Sequence, residues 1–131
     1  MIHRADLRPG NHIIIDSCTV EVEDLQPKYC IAVKELGGFV VSAYDKITPV
    51  PLTYQVFIEW GFHRENFAWQ KGTFTLFDPN SCDHSKVSSI ALMFGSLSSC
   101  RVIKNLHELQ NLYFWIEGKE LRSEQLNRIS A

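Results

Sequence analysis

The sequence predicts an α+β domain: a small, strongly twisted antiparallel sheet carrying two helices, with the C-terminal helix packed on the sheet. Three observations carry this prediction. Residues 11–43 hold four short strand-like runs parted by turn signals. Pro49 and Pro51 then close the sheet, because proline cannot donate to a ladder and forces its predecessor into extended geometry. Residues 105–118 carry apolar side chains at helical spacing between a capping residue and a glycine.

In chain order, Asn11 to Ile15 ends in three isoleucines, and Thr19 to Glu23 alternates Val20 and Val22 with Glu21 and Glu23. That period of two marks a sheet with one wet face. Tyr29 to Val33 and Phe39 to Ala43 are β-branched and aromatic, and Gly37-Gly38 turns the chain between them. Four such strands with tight turns suggest an SH3-like roll. Thr53 is a good N-cap for a short helix, with Leu52 placed to staple onto Phe57, Trp60 on the same face as Phe57, and Gly61 to end it. Phe62 is expected to fold back onto that helix.

Lys71-Gly72 suits a hairpin between Phe67-Ala68-Trp69 and Phe74 to Phe77. A polar loop is expected from Asp78 to Lys86, a strand over Ser89 to Phe94, and a turn over Ser96 to Ser99. Asn105 and Glu108 form a capping-box-like pair, and Leu106, Leu109, Leu112, Tyr113 and Ile116 make one inward stripe ended by Gly118. Residues 1–121 are read as a single domain, and 122–131 as an extension, a frayed helix or a disordered tail with Leu126 and Ile129 as its apolar anchors.

Composition narrows the function. The 131 residues are 45% hydrophobic and 21% charged, an ordinary globular balance. Thirteen basic against fifteen acidic residues give a net charge of -2, which supplies no bulk field for a polyanion and disfavours sequence-independent nucleic-acid binding. The opening Met1 to Leu7 has no apolar h-region and no apolar run is long enough to span a bilayer, so neither a secretory signal nor a membrane partner is expected. Four cysteines without a Cys-x-x-Cys pair fit a reduced, cytoplasmic protein, with Cys18 and Cys30 as small buried hydrophobes inside strands.

Several segments carry a resemblance. Leu7-Arg8-Pro9-Gly10-Asn11, Ile47 to Thr53 with Trp60-Gly61-Phe62, and above all Leu106-His107-Glu108-Leu109-Gln110-Asn111-Leu112-Tyr113-Phe114 followed by Gly118-Lys119-Glu120-Leu121 stand in this order along the chain. Together they resemble a family of small uncharacterised proteins of Bacteroides-type bacteria and their phages. The resemblance implies a phage or mobile-element context, and within it an accessory or anti-defence role. It implies no activity and no catalytic residue. The chain departs from the family pattern at Trp115-Ile116-Glu117, where smaller residues are usual, and at Arg122 to Ala131, which runs beyond the usual end.

Signals for chemistry are sparse. Cys82, His84 and Cys100 fall short of the two closely spaced ligand pairs of a structural zinc site, so no metal is expected. No glycine-rich oxyanion turn accompanies the cysteines, and Gly37-Gly38 lacks the lysine and helix of a phosphate loop. Alternation puts Glu21 and Glu23 on a solvated strand face instead of a paired-carboxylate site. Neither an enzyme nor a cofactor is expected, and no catalytic residue is assigned. Tyr113, Phe114 and Trp115 are consecutive, so a helix must turn at least one of them outward, and Trp115 is the one off the stripe. The expectation is a non-catalytic protein that binds and occludes a protein partner, with Trp115 and Arg122 in the binding surface. A small nucleic-acid or ribonucleoprotein-binding module is the alternative. Should the tail cover Trp115 through Leu126 or Ile129, the tryptophan would instead be structural.

Overall fold

Asp16 and Ser17, both with left-handed backbone (φ 51° and 65°), turn the chain tightly between β1 (His12–Ile15) and β2 (Cys18–Leu25). β3 (Tyr29–Lys34) and β4 (Phe39–Ala43) extend the meander, a 3-10 turn follows at Tyr44–Lys46, and β5 (Thr48–Pro49) returns to pair with β1. The five antiparallel strands lie in the order β4-β3-β2-β1-β5. This computed structural model describes residues 2–65, 68–72, 74–77, 90–94 and 97–123.

The second half begins with α1 (Tyr54–Glu59). Strands β6 (His63–Glu65), β7 (Ala68–Lys71), β8 (Phe74–Phe77), β9 (Ile90–Phe94) and β10 (Leu97–Ile103) form another antiparallel sheet in the order β10-β9-β8-β7-β6. Helix α2 (Leu106–Glu117) closes the described fold, and its Tyr113 ring meets Phe74 of β8 at 5.0 Å. The class is α+β, as the sequence indicates, with the strands divided between two sheets. The chain falls into two compact units, Met1–Pro51 with Asn105–Leu112, and Leu52–Lys104 with Tyr113–Ala131.

Each unit has its own core logic. In the first, the alternation of β2 is realised: Val20 and Val22 are buried beside Ile13, Ile15 and Ala32, while Glu21 and Glu23 face water. A bulge between Val22 and Asp24 adds twist, which curls the sheet around this core. The second unit is built on rings. Trp69 stacks on Phe57 at 4.6 Å and takes the edge of Tyr54 at 5.0 Å, and Phe62 links Phe57 to Phe74. Offset and edge-on aromatic contacts of this kind stabilise beyond their buried area.

The helix ends follow their local chemistry. Thr53 Oγ1 accepts from Val56 N at 3.2 Å, as an N-cap should. At the other end Phe62 N donates to Phe57 O and Gly61 N to Ile58 O, the paired bonds of a Schellman motif, with Gly61 at φ 85°. Phe62 therefore does fold back onto the last turn. At the start of α2, Asn105 Nδ2 donates to Glu108 Oε1 at 3.0 Å, so the capping pair meets through its side chains.

Four expectations are corrected. Pro49 does not stop the first sheet. It sits in β5 at the sheet's edge, where the missing N–H is not required. Leu97 to Ser99 are not a turn but the start of β10, which pairs with β9 at Leu97 and again from Arg101 and carries the serines through the register shift between. Cys18 is exposed: it opens β2 directly after the turn, beyond the reach of the core that buries Cys30. Ile116 is 38% exposed, since it lies in the final turn of α2, past the residues the stripe buries.

Candidate functional site

Three of the segments singled out in the sequence, at residues 7–11, 47–51 and 106–112, meet in the first unit. Arg8-Pro9-Gly10-Asn11 is a turn in which Asn11 N donates to Arg8 O at 3.0 Å, with Pro9 pre-set for its position and Gly10 at φ 98°. Asn11 is fully buried, and its Oδ1 accepts from Arg8 N at 2.7 Å while its Nδ2 donates to Asn111 Oδ1 at 2.8 Å. Asn111 Nδ2 in turn donates to Asp6 O at 3.0 Å, and Arg8 Nε reaches Asn111 Oδ1 at 3.3 Å.

Gln110, one residue earlier on α2, completes the clasp. Its Oε1 accepts from His12 N at 2.7 Å, and its Nε2 donates to Gly10 O at 3.0 Å and lies 3.1 Å from His12 Nδ1. Ile47 to Thr53 has a matching task. Val50 O accepts from Leu106 N at 2.8 Å, and Pro51 bridges to Asn105, so this segment receives the first turn of α2. Residues 7–11, 47–51 and 105–112 are thus bonded to one another, and these bonds are structural.

The imidazole of His12 is pushed down from 6.5 to about 4 by burial, against a hydrogen bond to the Gly10 carbonyl that favours the charged form. Burial also lowers His107, with the charges of Glu108 and Asp6 opposing it. His107 is buried with its Nδ1 lacking a partner among the described residues. In acid the unfolded chain therefore takes up a proton that native His12 refuses. Stability should be complete above pH 6.5 and decline as pH falls towards about 4, by up to about 3 kcal/mol from His12. Denaturant titrations across this range check it. His12→Gln should flatten the decline, and an unchanged slope would remove His12 as its source.

Helix α2 buries Leu106, His107, Leu109, Gln110, Leu112 and Tyr113, an arc that includes two polar side chains. Trp115 projects from the opposite side and is 87% exposed, with Phe114 and Ile116 half-exposed beside it along the chain. Gly118 ends the helix at φ 73°, and Leu121 turns back into a buried position. Arg122 is exposed, and its backbone carbonyl accepts from Lys71 Nζ at 3.2 Å, the same ammonium that donates to Trp60 O at 2.8 Å. The Cys82–His84 step and residues 124–131, which include Leu126 and Ile129, lie outside the described residues. Among the described residues no three His, Cys, Asp or Glu side chains converge as a metal site.

The sequence holds one local signal for the clasp. Gln110 follows Leu106 by four positions and so borders the stripe of Leu106, Leu109 and Tyr113, where burial requires a partner for its amide. No helix among the described residues is long and apolar enough to cross a membrane. Comparison with protein-family models, with curated proteins and with solved structures finds no match.

Proposed function

We propose that this chain is a non-catalytic binding protein of a phage or mobile element, working in the host cytoplasm by occluding a protein partner, in the manner of an inhibitor of a host defence system. The observation that supports this reading is the exposure of Trp115 between Phe114 and Ile116. A tryptophan held in water keeps a large apolar area unburied, and interface hot spots are enriched in this residue. The contrast with the clasp adds support. The family-like segments are accounted for by the fold, whereas Trp115 and Arg122 belong to the stretches that depart from the family pattern.

The test is capture from a Bacteroides-type host lysate by the wild-type protein and by Trp115→Ala, with melting followed in parallel. The substitution should leave stability within about 0.5 kcal/mol, as expected of an exposed site. Wild type should retain a discrete protein that the variant loses. A variant that melts normally and still captures the same protein would remove Trp115 from the interface. Retention of nucleic acid by the wild type, in place of a protein, would favour the alternative module.

A further inference from the structure

A different surface, in the first unit, carries an inference of its own. The unbroken register of β3 and β4 pairs Val33 with Phe39, Ile31 with Val41 and Tyr29 with Ala43, and these six side chains share the solvent face of the sheet. Phe39 is 68% exposed and Val41 60%, and Leu36 in the connecting turn is fully exposed. β4 is also the last strand of its sheet among the described residues. Natural edge strands are blunted by charge, proline or a bulge. The sequence Phe39-Val40-Val41-Ser42-Ala43 has no charge and no proline, and its pairing with β3 has no bulge.

The backbone of this edge points the same way. Lys34 N donates to Gly38 O, so residues 38, 40 and 42 form the hydrogen-bonded pairs with β3. The N–H and C=O groups of Phe39, Val41 and Ala43 are therefore directed away from β3, and the same three residues present the exposed side chains.

We infer that β4 is a self-association edge, at which two copies of the chain pair antiparallel about a two-fold axis through Val41. The occupant is a second copy because the strand is complementary to itself. Centring on Val41 sets Val41 opposite its symmetry mate and Phe39 opposite Ala43, large against small, with all three outward-directed residues bonded in an isologous ladder. Charge permits the arrangement. The hairpin tip with Lys34 and Glu35 of one copy comes beside Asp45 and Lys46 of the other, so each end brings one acid and one base to the meeting. A nucleic acid is a poorer occupant of the same face, because exposed Glu21 and Glu23 of β2 flank it and repel phosphate. Edge pairing covers the strand and the flanks of its side chains, less than the roughly 800 Å² per partner of a standard interface, so the dimer is a weak one.

Sedimentation equilibrium on the full chain tests this without reference to Trp115. The mean mass should rise from 15.0 kDa towards twice that value as concentration increases through the micromolar range. Val41→Lys sets two ammonium groups face to face and should weaken association at least ~10-fold with melting unchanged, the position being exposed. Phe39→Lys should also weaken it, and adding Ala43→Glu to the same chain should restore it, since the two-fold places opposite charges across both symmetric pairs. A mass of 15.0 kDa at every concentration, association indifferent to Val41→Lys, or a double variant as weak as Phe39→Lys would each overturn the inference.

Discussion

Replacing Trp69 by alanine is expected to cost about 3–5 kcal/mol, the range for removing a large aromatic from a packed core. Trp69 is completely buried on β7, stacked within 10° of parallel on Phe57 and met edge-on by Tyr54, with the Arg64 guanidinium 5.4 Å from the ring centroid. Its removal severs α1 from the strand beneath it and leaves Phe57 without its stacking partner. Because the second unit is organised around these rings, the loss should appear as a large fall in denaturant midpoint. A cost below about 1 kcal/mol would mean that the rings do not pack as described.

Gln110→Leu is expected to cost about 1–3 kcal/mol, although it conserves volume and replaces a polar by an apolar side chain. The substitution strands the His12 N–H and leaves the Gly10 carbonyl with the His12 imidazole alone, and a buried group left without a partner costs about 1–3 kcal/mol. The contrast with an apolar truncation is informative. Were helix α2 held only by its leucine stripe, Gln110→Leu would be neutral or stabilising. A fall in the urea midpoint with the slope unchanged would assign the loss to the clasp.

Regular local patterns were legible in the sequence. The alternation of Val20 and Val22 with Glu21 and Glu23 placed β2 and its faces correctly, because a two-residue period determines which side meets the core. Thr53 and Gly61 located the ends of α1, since each answers a local shortage of hydrogen-bond partners, and the Asn105–Glu108 pair located the start of α2. Features decided by distant partners were not legible. β6 is three residues long and carries His63, Arg64 and Glu65, and only its pairing with β7 makes it a strand. β10 is a strand through its pairing with β9 at Leu97 and from Arg101 to Ile103, and its serines lie in the register shift between. At the clasp, Asn11 and Asn111 are 100 positions apart, and nothing local to either announces the other. The outward position of Trp115 was legible because helical geometry alone determines it.

Trp115 stands open in the free protein, and the proposed function requires a partner to cover it on binding. Acrylamide quenching of tryptophan emission measures this directly, because Trp60 and Trp69 are buried while Trp115 is 87% exposed. In the free protein one readily quenched fraction should be present, and Trp115→Phe should abolish it. Adding the protein captured from host lysate should shield that same fraction in the wild type. Emission that resists quenching in the free protein, or a quenched fraction that the bound partner leaves untouched, would remove Trp115 from the binding surface.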